Sequence, residues 1–391
     1  MNKLSVTRCN LNGKRVLLRV DFNVPMTDKQ VITDDTRIRA TLPTINYCLE
    51  HGASRIVIIS HLGRPKGKPV EKYSLQPVAD RLAELIGVNV KFISDCVDVE
   101  SQLQGFRVFL LENLRFHPGE EAGSEEFARK LSSLGDVYIN DAFGAMHRPH
   151  ASISKIVIHT RAAGLLVARE LEAFSDLLRE RIDLVVLGGA KVSDKLKLIE
   201  NLIPRVDTIY IGGAMAFTFL AEEGKMESIG ESLYDQDGAS AVPGILQKAR
   251  QFQCNLVFPV DFRCAKSLGD QDLVIVKTLQ EGIPKGYAGF DIGPQSESIL
   301  YDLVVKAKKV FWNGPMGVFE QERFSHGTLK CLQAMNDAQG LTIIGGGDTA
   351  AACTLLYPEC KVSHVSTGGG AGLELLEGAE LPGIAHLNDS V

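Results

Sequence analysis

Short, nearly continuous hydrophobic runs recur along the chain and alternate with segments of helical spacing. A strand that is apolar on both faces belongs inside a parallel sheet, so each run predicts a buried strand. Residues 75–86 and 196–203 carry apolar side chains every three or four positions, which predicts helices. The predicted strands are 16–22, 55–62, 90–93, 106–114, 136–143, 183–187, 208–211, 255–262, 309–312, 341–344 and 362–365.

The order of these elements predicts two domains. Alternating strands and helices are typical of α/β folds with parallel sheets, and 391 residues exceed what one ordinary core holds. A helical pattern near residues 165–181 separates five predicted strands from six. We therefore expect two doubly wound, Rossmann-like domains joined by a hinge helix. The expected bounds are 1–168, with the tail 374–391 packing back on this domain, then 169–182 for the hinge helix and 183–373 for the second domain.

The composition of the chain limits the partners and the cellular location that can be expected. The net charge of −6 argues against nucleic acid or a membrane surface as the partner, because both are polyanions that favour a basic face. The eight cysteines form no C-x-x-C pair, and the first twenty residues contain no secretory hydrophobic segment. A reducing, cytoplasmic location is expected.

Strand ends in the first half carry polar side chains, and many of them are arginine or histidine donors. In open parallel sheets ligands bind beyond the carboxyl ends of the strands, and guanidinium groups there suit carboxylate or phosphate. A solvated surface charge is the simpler interpretation of any single arginine, but repetition at equivalent strand ends favours a pocket for a small polyanion. The residues are Asp21, Asn23, Arg37, His61, Arg64, Arg115, Asn140, Asp141, His147, Arg148 and His150.

Strand ends in the second half are glycine-rich instead. Glycine lets backbone N–H groups approach phosphate oxygens, and a helix that follows adds the positive end of its dipole. The glycine-rich turns are residues 188–191, 212–214, 345–349 and 368–372. Lys191 and Lys195 add positive charge, and Asp348 offers an oxygen ligand to magnesium carried by a nucleotide. For Gly212 and Gly213 alone, a tight turn without a ligand is an equal alternative.

Nucleotide fingerprints leave a second enzyme class open. No G-x-x-x-x-G-K-[ST] sequence is present, which excludes the P-loop class. Gly345-x-Gly347-x-x-Ala350 matches the dinucleotide pattern of nicotinamide dehydrogenases, but the next predicted strand ends without the acidic residue that binds a ribose. A third possibility is a non-catalytic sensor of phosphorylated metabolites, which we expect to lack Lys191, Lys195 or Asp348.

Several sequence blocks, in order from near Arg15 to about Gly378, resemble the phosphoglycerate kinase family. Many separate blocks at consistent spacing are specific, whereas any one of three residues is not. The sequence departs from the family pattern at residues 145–150 and at Gly372, where the family often has serine. The blocks are residues 19–25, 60–65, 112–115, 140–144, 188–195, 311–317, 345–349 and 366–370.

The resemblance implies a division of ligands between the domains. It implies that 3-phosphoglycerate or 1,3-bisphosphoglycerate binds the first domain through Asp21, Asn23, Arg37, His61, Arg64, Arg115 and Arg148. It implies that ADP or ATP, with Mg²⁺, binds the second domain through Lys195, Gly212, Gly213, Asn313, Pro315, Glu320, Gly346, Gly347, Asp348 and Thr349, with Glu320 at the ribose and Asp348 at the metal. The implied catalytic residues are Arg37, Lys191, Lys195, Gly347 and Gly369. A monomer is the family expectation.

The predicted chemistry agrees with this resemblance. A carboxylate that accepts a phosphoryl group has a pKa of about 4, so it is ionised at neutral pH and needs no general base. In-line transfer instead needs alignment and positive groups around the phosphoryl oxygens. Because the two sets of ligands fall in different domains, we expect the hinge to close on them and exclude water.

Overall fold

The computed structural model describes residues 1–269 and 273–390. Within them the chain divides into two compact units, Met1–Glu172 with the stretch that begins at Ala379, and Ala173–Gly378. The division falls inside one helix, α6 (Leu165–Leu178). Among these residues no helix combines the length and the apolar character that crossing a bilayer requires.

The first unit contains a six-stranded, fully parallel sheet in the order β3-β4-β2-β1-β5-β6. Its strands are β1 (Arg15–Arg19), β2 (Arg55–Ile59), β3 (Val90–Ile93), β4 (Val108–Leu111), β5 (Val137–Asn140) and β6 (Thr160–Ala163). The helices before α6 are α1 (Thr36–Glu50), α2 (Gln76–Ile86), α3 (Pro118–Glu121), α4 (Glu125–Ser132) and α5 (Ala151–Ser154). All residues of β4 and β5 are buried, as the continuous hydrophobic runs predicted.

Four strands of this unit end three residues earlier than their hydrophobic runs predicted: β1, β2, β4 and β5. Side chains replace the sheet hydrogen bonds beyond these ends. Phe22 N–H donates to Ser60 Oγ at 2.9 Å, and Leu62 N–H donates to Asn113 Oδ1 at 3.2 Å. The apolar residues after each strand are therefore buried in loops, and these loops carry the candidate site.

The second unit contains a six-stranded parallel sheet in the order β15-β14-β13-β7-β8-β9, the doubly wound order of dinucleotide-binding folds. Its strands are β7 (Ile182–Leu187), β8 (Val206–Ile211), β9 (Asn255–Val257), β13 (Lys309–Asn313), β14 (Leu341–Gly345) and β15 (His364–Val365), and a separate antiparallel sheet contains β10 (Asp261–Ala265), β11 (Ile275–Thr278) and β12 (Ala288–Ile292). The helices are α7 (Leu196–Leu202), α8 (Met215–Glu222), α9 (Gln236–Ala239), α10 (Val242–Gln251), α11 (Pro294–Lys306), α12 (His326–Asp337), α13 (Gly347–Leu356) and α14 (Gly370–Leu376).

Two mostly parallel sheets confirm the predicted fold class, with one strand predicted wrongly and three strands missed. The single strand predicted at residues 255–262 is wrong, because a break separates β9 in the parallel sheet from β10 in the antiparallel one. The edge strand β6 and the strands β11 and β12 were missed. Their sequences contain few buried β-branched residues, and only pairing with distant strands makes them extended.

The C-terminal stretch belongs to the first unit from Ala379 onward, whereas residues 374–378 cluster with the second unit. A short helix, α15 (Pro382–His386), packs on α5, and Leu4 N–H donates to Asn388 O at 2.8 Å. The tail was expected to start at residue 374. Residues 374–378 stay with the second unit because Glu377 pairs with Lys197 of α7 at 3.4 Å. Val391, which the expected tail includes, lies outside the described residues.

Candidate functional site

Polar side chains of the first unit meet where four neighbouring strands end. Because β4, β2, β1 and β5 are adjacent and parallel, the loops that follow them lie along one edge of the sheet. Asp21 and Asn23 follow β1, His61 and Arg64 follow β2, Arg115 follows β4 and Arg148 follows β5. Arg37 comes from the first turn of α1.

Asp21 is the point of contact for two other predicted ligands. Arg37 Nη1 donates to Asp21 Oδ2 at 2.9 Å, and His61 Nε2 lies 4.0 Å from Asp21 Oδ1. Burial, the largest effect, raises the pKa of Asp21, but the neighbouring His61, Arg37 and Arg19, together with the hydrogen bond from Asn23 N–H, outweigh burial and lower the pKa overall. Asp21 is therefore an anion that orients Arg37, whose side chain is 44% exposed.

Asn23 and Arg115 both hold the turn at Gly63. Gly63 N–H donates to Asn23 Oδ1 at 2.9 Å, and Arg115 Nη1 donates to Gly63 O at 2.7 Å. Gly63 has a φ of +60°, and a Cβ there would lie 2.3 Å from the ring of Tyr73. The turn therefore requires glycine, and it determines where the next residue, Arg64, leaves the backbone.

Arg64 and Arg148 are the open cations of this edge. Arg64 is exposed and Arg148 is half-buried, and neither side chain makes a hydrogen bond or ion pair with another residue in the described part of the chain. Arg148 lies close enough to Arg115 to contribute, after burial and Arg19, to the lowering of its pKa. Guanidinium groups without internal partners suit an anionic ligand.

Asp141, which sequence analysis placed at the same edge, has a different environment. Its side chain is buried, and Oδ1 accepts hydrogen bonds from Leu166 N–H at 2.9 Å and Val167 N–H at 3.2 Å. Burial raises the pKa of Asp141 to about 6. Asp141 therefore caps the start of α6 and is not a ligand on the open edge.

A charged layer beneath this edge was missed in the sequence. Arg19 and Glu120 are both fully buried, with Arg19 Nη2 4.0 Å from Glu120 Oε1. Ser152 joins them, because Arg19 Nε donates to Ser152 Oγ at 2.9 Å and Ser152 Oγ donates to Glu120 Oε1 at 2.6 Å. One signal was available: Arg19 ends a strand in which the three preceding residues are apolar and buried.

In the second unit, Lys195 and Asn313 connect two of the predicted glycine-rich loops, those after β7 and β14, with the loop that follows β13. Lys195 Nζ donates to both oxygens of Asn313, and the bond to the backbone oxygen is 3.1 Å long. Asn313 Nδ2 donates to Gly345 O at 2.9 Å, and Gly314 N–H donates to Thr349 Oγ1 at 2.7 Å. Burial lowers the pKa of Lys195 to about 8, although Asp348 and Asp194 oppose that shift. Lys191, in contrast, is exposed.

The glycines of these loops have two different roles. Around Gly347 and Gly369 no heavy atom lies within 4 Å of the position that a Cβ would take, so their backbone faces open space at the start of α13 and α14. A Cβ at Gly213 would lie 2.5 Å from the backbone of Gly189, and one at Gly212 would lie 2.5 Å from Met316 Sδ. Gly212 and Gly213 are therefore required by packing, whereas Gly347 and Gly369 are accessible to a ligand.

A cavity of about 510 Å³ lies within the second unit. Of the predicted nucleotide ligands, Gly213, Pro315, Glu320 and Asp348 line it. The others are not part of its wall in the described structure: Lys195, Gly212, Asn313, Gly346, Gly347 and Thr349. Lys195, Asn313 and Thr349 belong instead to the hydrogen-bonded loops that carry Pro315 and Asp348.

The apolar wall of this cavity was missed in the sequence. Phe217 comes from α8, Phe262 from β10 and Phe290 from β12. Rings of this kind suit the flat faces of a nucleotide base. They were missed because the antiparallel sheet was not predicted. Gly289 makes room for this wall, because a Cβ there would lie 2.3 Å from the ring of Phe217.

Comparisons with known proteins all lead to one family. The family model described as "Phosphoglycerate kinase" matches residues 6–379. A phosphoglycerate kinase of Yarrowia lipolytica is 48% identical, and the alignment covers 99% of each chain. The structure of phosphoglycerate kinase from Coxiella burnetii has a TM-score of 0.89 at 38% identity, and that from Pyrococcus horikoshii has 0.83 at 31%; each comparison covers 98% of both chains.

Proposed function

The chain belongs to the phosphoglycerate kinase family, and from this premise we propose which of its residues perform each part of the reaction. The enzyme transfers the acyl phosphate of 1,3-bisphosphoglycerate to ADP and forms 3-phosphoglycerate and ATP, reversibly. An oxygen of the ADP β-phosphate forms a bond to phosphorus as the bond to the carboxyl oxygen breaks. The leaving carboxylate is stable as an anion at neutral pH, so no residue has to move a proton.

We assign the three-carbon acid to the edge of the first unit. The observation that carries this assignment is the meeting of Arg37, Asp21 and His61 beside the open cations Arg64 and Arg148. A small ligand with two or three negative charges matches the guanidinium and imidazole donors of this group. Asn23 and Arg115 support it by holding the turn at Gly63.

The nucleotide is assigned to the cavity of the second unit. The aromatic wall takes the base, and Glu320, at the same wall, is placed to accept hydrogen bonds from the ribose. The phosphates then extend toward Lys195 and toward the N–H groups at the start of α13, where Gly347 leaves open space. Lys191 and Gly369 supply further donors to the transferred group.

The two competing interpretations do not explain the site. The dehydrogenase pattern at residues 345–350 arises because α13 follows β14 in a sheet of dinucleotide-binding order, but the chain belongs to a kinase family. A sensor without catalysis would not need Lys195 held between the loops that carry Asn313 and Asp348. The kinase assignment accounts for both halves.

One coupled assay tests the function. Purified protein is mixed with 1,3-bisphosphoglycerate and ADP, with and without Mg²⁺, and ATP is measured. We expect rapid ATP formation that depends on the metal. ATP formation no faster than in the absence of protein would reject the assignment.

Magnesium, which reaches the enzyme bound to the nucleotide, neutralises phosphate charge when present. Asp348 fits such an ion, because its exposed carboxylate lies in the first turn of α13 and on the cavity wall. Among the described residues, the one cluster of three possible metal ligands is Asp95, Cys96 and His117, and it does not include Asp348. The position of Asp348 on the wall of the nucleotide cavity supports a metal that arrives with the nucleotide.

The variant Asp348→Asn should raise the Mg²⁺ concentration needed for half-maximal turnover by about tenfold, the effect of losing a charged ligand. The measurement is turnover against free Mg²⁺ at saturating substrates. Asp194→Asn is the matched control, because Asp194 also lies near Lys195 but does not line the cavity. Equal metal requirements in the two variants would contradict the role of Asp348.

We further propose that the units close on their ligands. All residues assigned to the acid lie in the first unit, and all residues assigned to the nucleotide lie in the second. Transfer requires the reacting groups about 3–3.5 Å apart, so both ligands must be brought together. In solution scattering, both substrates together should lower the radius of gyration more than either one alone. Identical profiles would count against closure.

We propose a cytoplasmic monomer as the working form. Both assigned sites are built from residues of one chain, and all eight cysteines are free thiols, as suits a reducing compartment. Sedimentation velocity should give the mass of one chain, and cell fractionation should recover the protein with cytoplasmic enzymes. A dimeric mass or recovery outside that fraction would oppose the proposal.

A further inference from the structure

Arg19 lies directly beneath His61 and is fully buried. Its guanidinium group has four neighbours. Nη1 donates to Val20 O, Nε donates to Ser152 Oγ at 2.9 Å, and Nη2 lies 3.2 Å from His61 Nδ1 and 4.0 Å from Glu120 Oε1. Each of these partners restricts rotation of the group, so Arg19 presents Nη2 to one atom of His61 in a constant geometry.

This contact determines where the imidazole proton lies. A guanidinium group has only donors, so His61 Nδ1 can approach Arg19 Nη2 only with its lone pair. A proton on Nδ1 would place two N–H groups head to head. The ring proton must therefore be on Nε2, which points toward Asp21 Oδ1 at 4.0 Å.

The charges around His61 favour the neutral ring. Its pKa lies well below the usual range because of burial and because of the neighbouring cations Arg19, Arg115 and Arg37, whereas Asp21 opposes them. A neutral ring carries one proton, so the choice between the two nitrogens matters. With the other tautomer, a lone pair would face the anion site.

We propose that Arg19 is a positioning residue that holds His61 as the Nε2–H tautomer, so that this N–H donates to the anionic acid at the open edge. The proposal rests on the assignment of that edge to 3-phosphoglycerate, and it adds the residue that orients the donor. Arg19 itself does not touch the ligand, because it is shielded from solvent. Its effect passes through one hydrogen bond to His61 Nδ1.

Replacing Glu120 together with Arg19 tests the proposal without leaving an unpaired buried charge. Glu120 is fully buried and accepts hydrogen bonds from Ser152 N–H at 2.9 Å and Ser152 Oγ at 2.6 Å. Removing Arg19 alone leaves this carboxylate without its cation, which destabilises a folded protein. The pair Arg19→Met with Glu120→Gln removes both charges and keeps similar volumes.

The test is nitrogen NMR of the protein labelled with ¹⁵N-histidine. Comparison with His61→Gln identifies the His61 signals among the nine histidines. In the wild type we expect Nε2 with the shift of a protonated nitrogen and Nδ1 with that of an unprotonated one. In Arg19→Met/Glu120→Gln, both signals should move toward values averaged between the tautomers. A wild-type proton on Nδ1 overturns the proposal, and so does an unchanged tautomer in the double variant.

Two further variants separate positioning from general stability. Arg19→Lys keeps a donor near Nδ1 and should restore the Nε2–H signature. Ser152→Ala removes a partner of Arg19 Nε but leaves the contact with His61 in place, so the tautomer should not change. A shift of the tautomer in Ser152→Ala equal to that in the double variant would assign the effect to the whole buried layer and overturn the role of Arg19.

The affinity for 3-phosphoglycerate measures the consequence of losing the Nε2–H tautomer of His61. Loss of one oriented donor to an anion should weaken 3-phosphoglycerate binding by about tenfold in the double variant, with affinity for MgADP unchanged. Unchanged affinity for 3-phosphoglycerate would show that the tautomer does not serve this ligand and would overturn that part of the proposal. Absence of ATP formation by the wild type would instead reject the proposed function, whereas the NMR result on the free protein would stand.

Discussion

Replacement of Arg37 by alanine should lower kcat by about 100- to 1,000-fold, the usual effect of removing one donor that stabilises transition-state charge. Arg37 lies in the first turn of α1, and Asp21 orients it by a hydrogen bond of 2.9 Å. Its side chain is nevertheless 44% exposed, so its remaining donors are open to a ligand. Binding of MgADP alone should not change, because Arg37 belongs to the other unit.

The measurement is steady-state turnover with both substrates saturating, together with calorimetry of MgADP binding. Arg39→Ala is the matched control: Arg39 lies on the same helix and is exposed, but it pairs with Asp35 at 2.8 Å and not with Asp21. We expect near wild-type turnover in the control. Similar losses in both variants would assign the effect to α1 in general and refute a specific role for Arg37.

Replacement of Lys195 by methionine should lower kcat/KM for MgADP by about 100-fold or more, since it removes the positive charge held between two phosphate-facing loops. The ammonium group is placed by both oxygens of Asn313, and it is partly buried. Affinity for 3-phosphoglycerate should remain that of the wild type. Lys191→Met is the comparison, because Lys191 is exposed and contributes charge without that fixed geometry.

The lowered pKa of Lys195 also predicts that kcat/KM for MgADP depends on pH. Burial lowers its pKa to about 8 in the free protein, so the side chain is charged below pH 8 and becomes neutral above it. The value of kcat/KM for MgADP, which reports groups in the free enzyme, should therefore fall as the pH rises through 8. Lys195→Arg retains its charge to much higher pH and should lose this decline, whatever its absolute activity. A decline near pH 8 that persists in Lys195→Arg would assign the titration to another group.

Many polar residues of the candidate site could be predicted from the sequence because of the way parallel sheets are built. A parallel strand with both faces covered is hydrophobic throughout, so the polar residues that follow it are conspicuous. His61 after β2 and Asp348 after β14 were found for this reason. The resemblance of the motifs to one family added the identity of the substrates, which spacing alone does not specify.

For other residues, the sequence did not show whether the side chain binds the ligand or supports the site, and the tertiary structure was needed. Arg19 is the last residue of β1 and Arg37 lies in the first turn of the helix that follows it, but the first is fully buried and the second is exposed. Asp21 and Asp141 both follow strands of the same sheet, yet Asp141 caps α6. The difference between a ligand and a support depends on what packs against each side chain.

The sequence by itself determined the fold class, most strands of the two parallel sheets and the residue types at their ends, because hydrophobic periodicity and turn composition are local properties. The tertiary structure alone decided the order of strands within each sheet, the aromatic wall that includes Phe217 and Phe290, and the buried layer of Arg19 and Glu120. These features are made by contacts between residues far apart in the chain, and burial changes the charge and hydrogen bonding of a side chain in ways that its neighbours in sequence do not reveal.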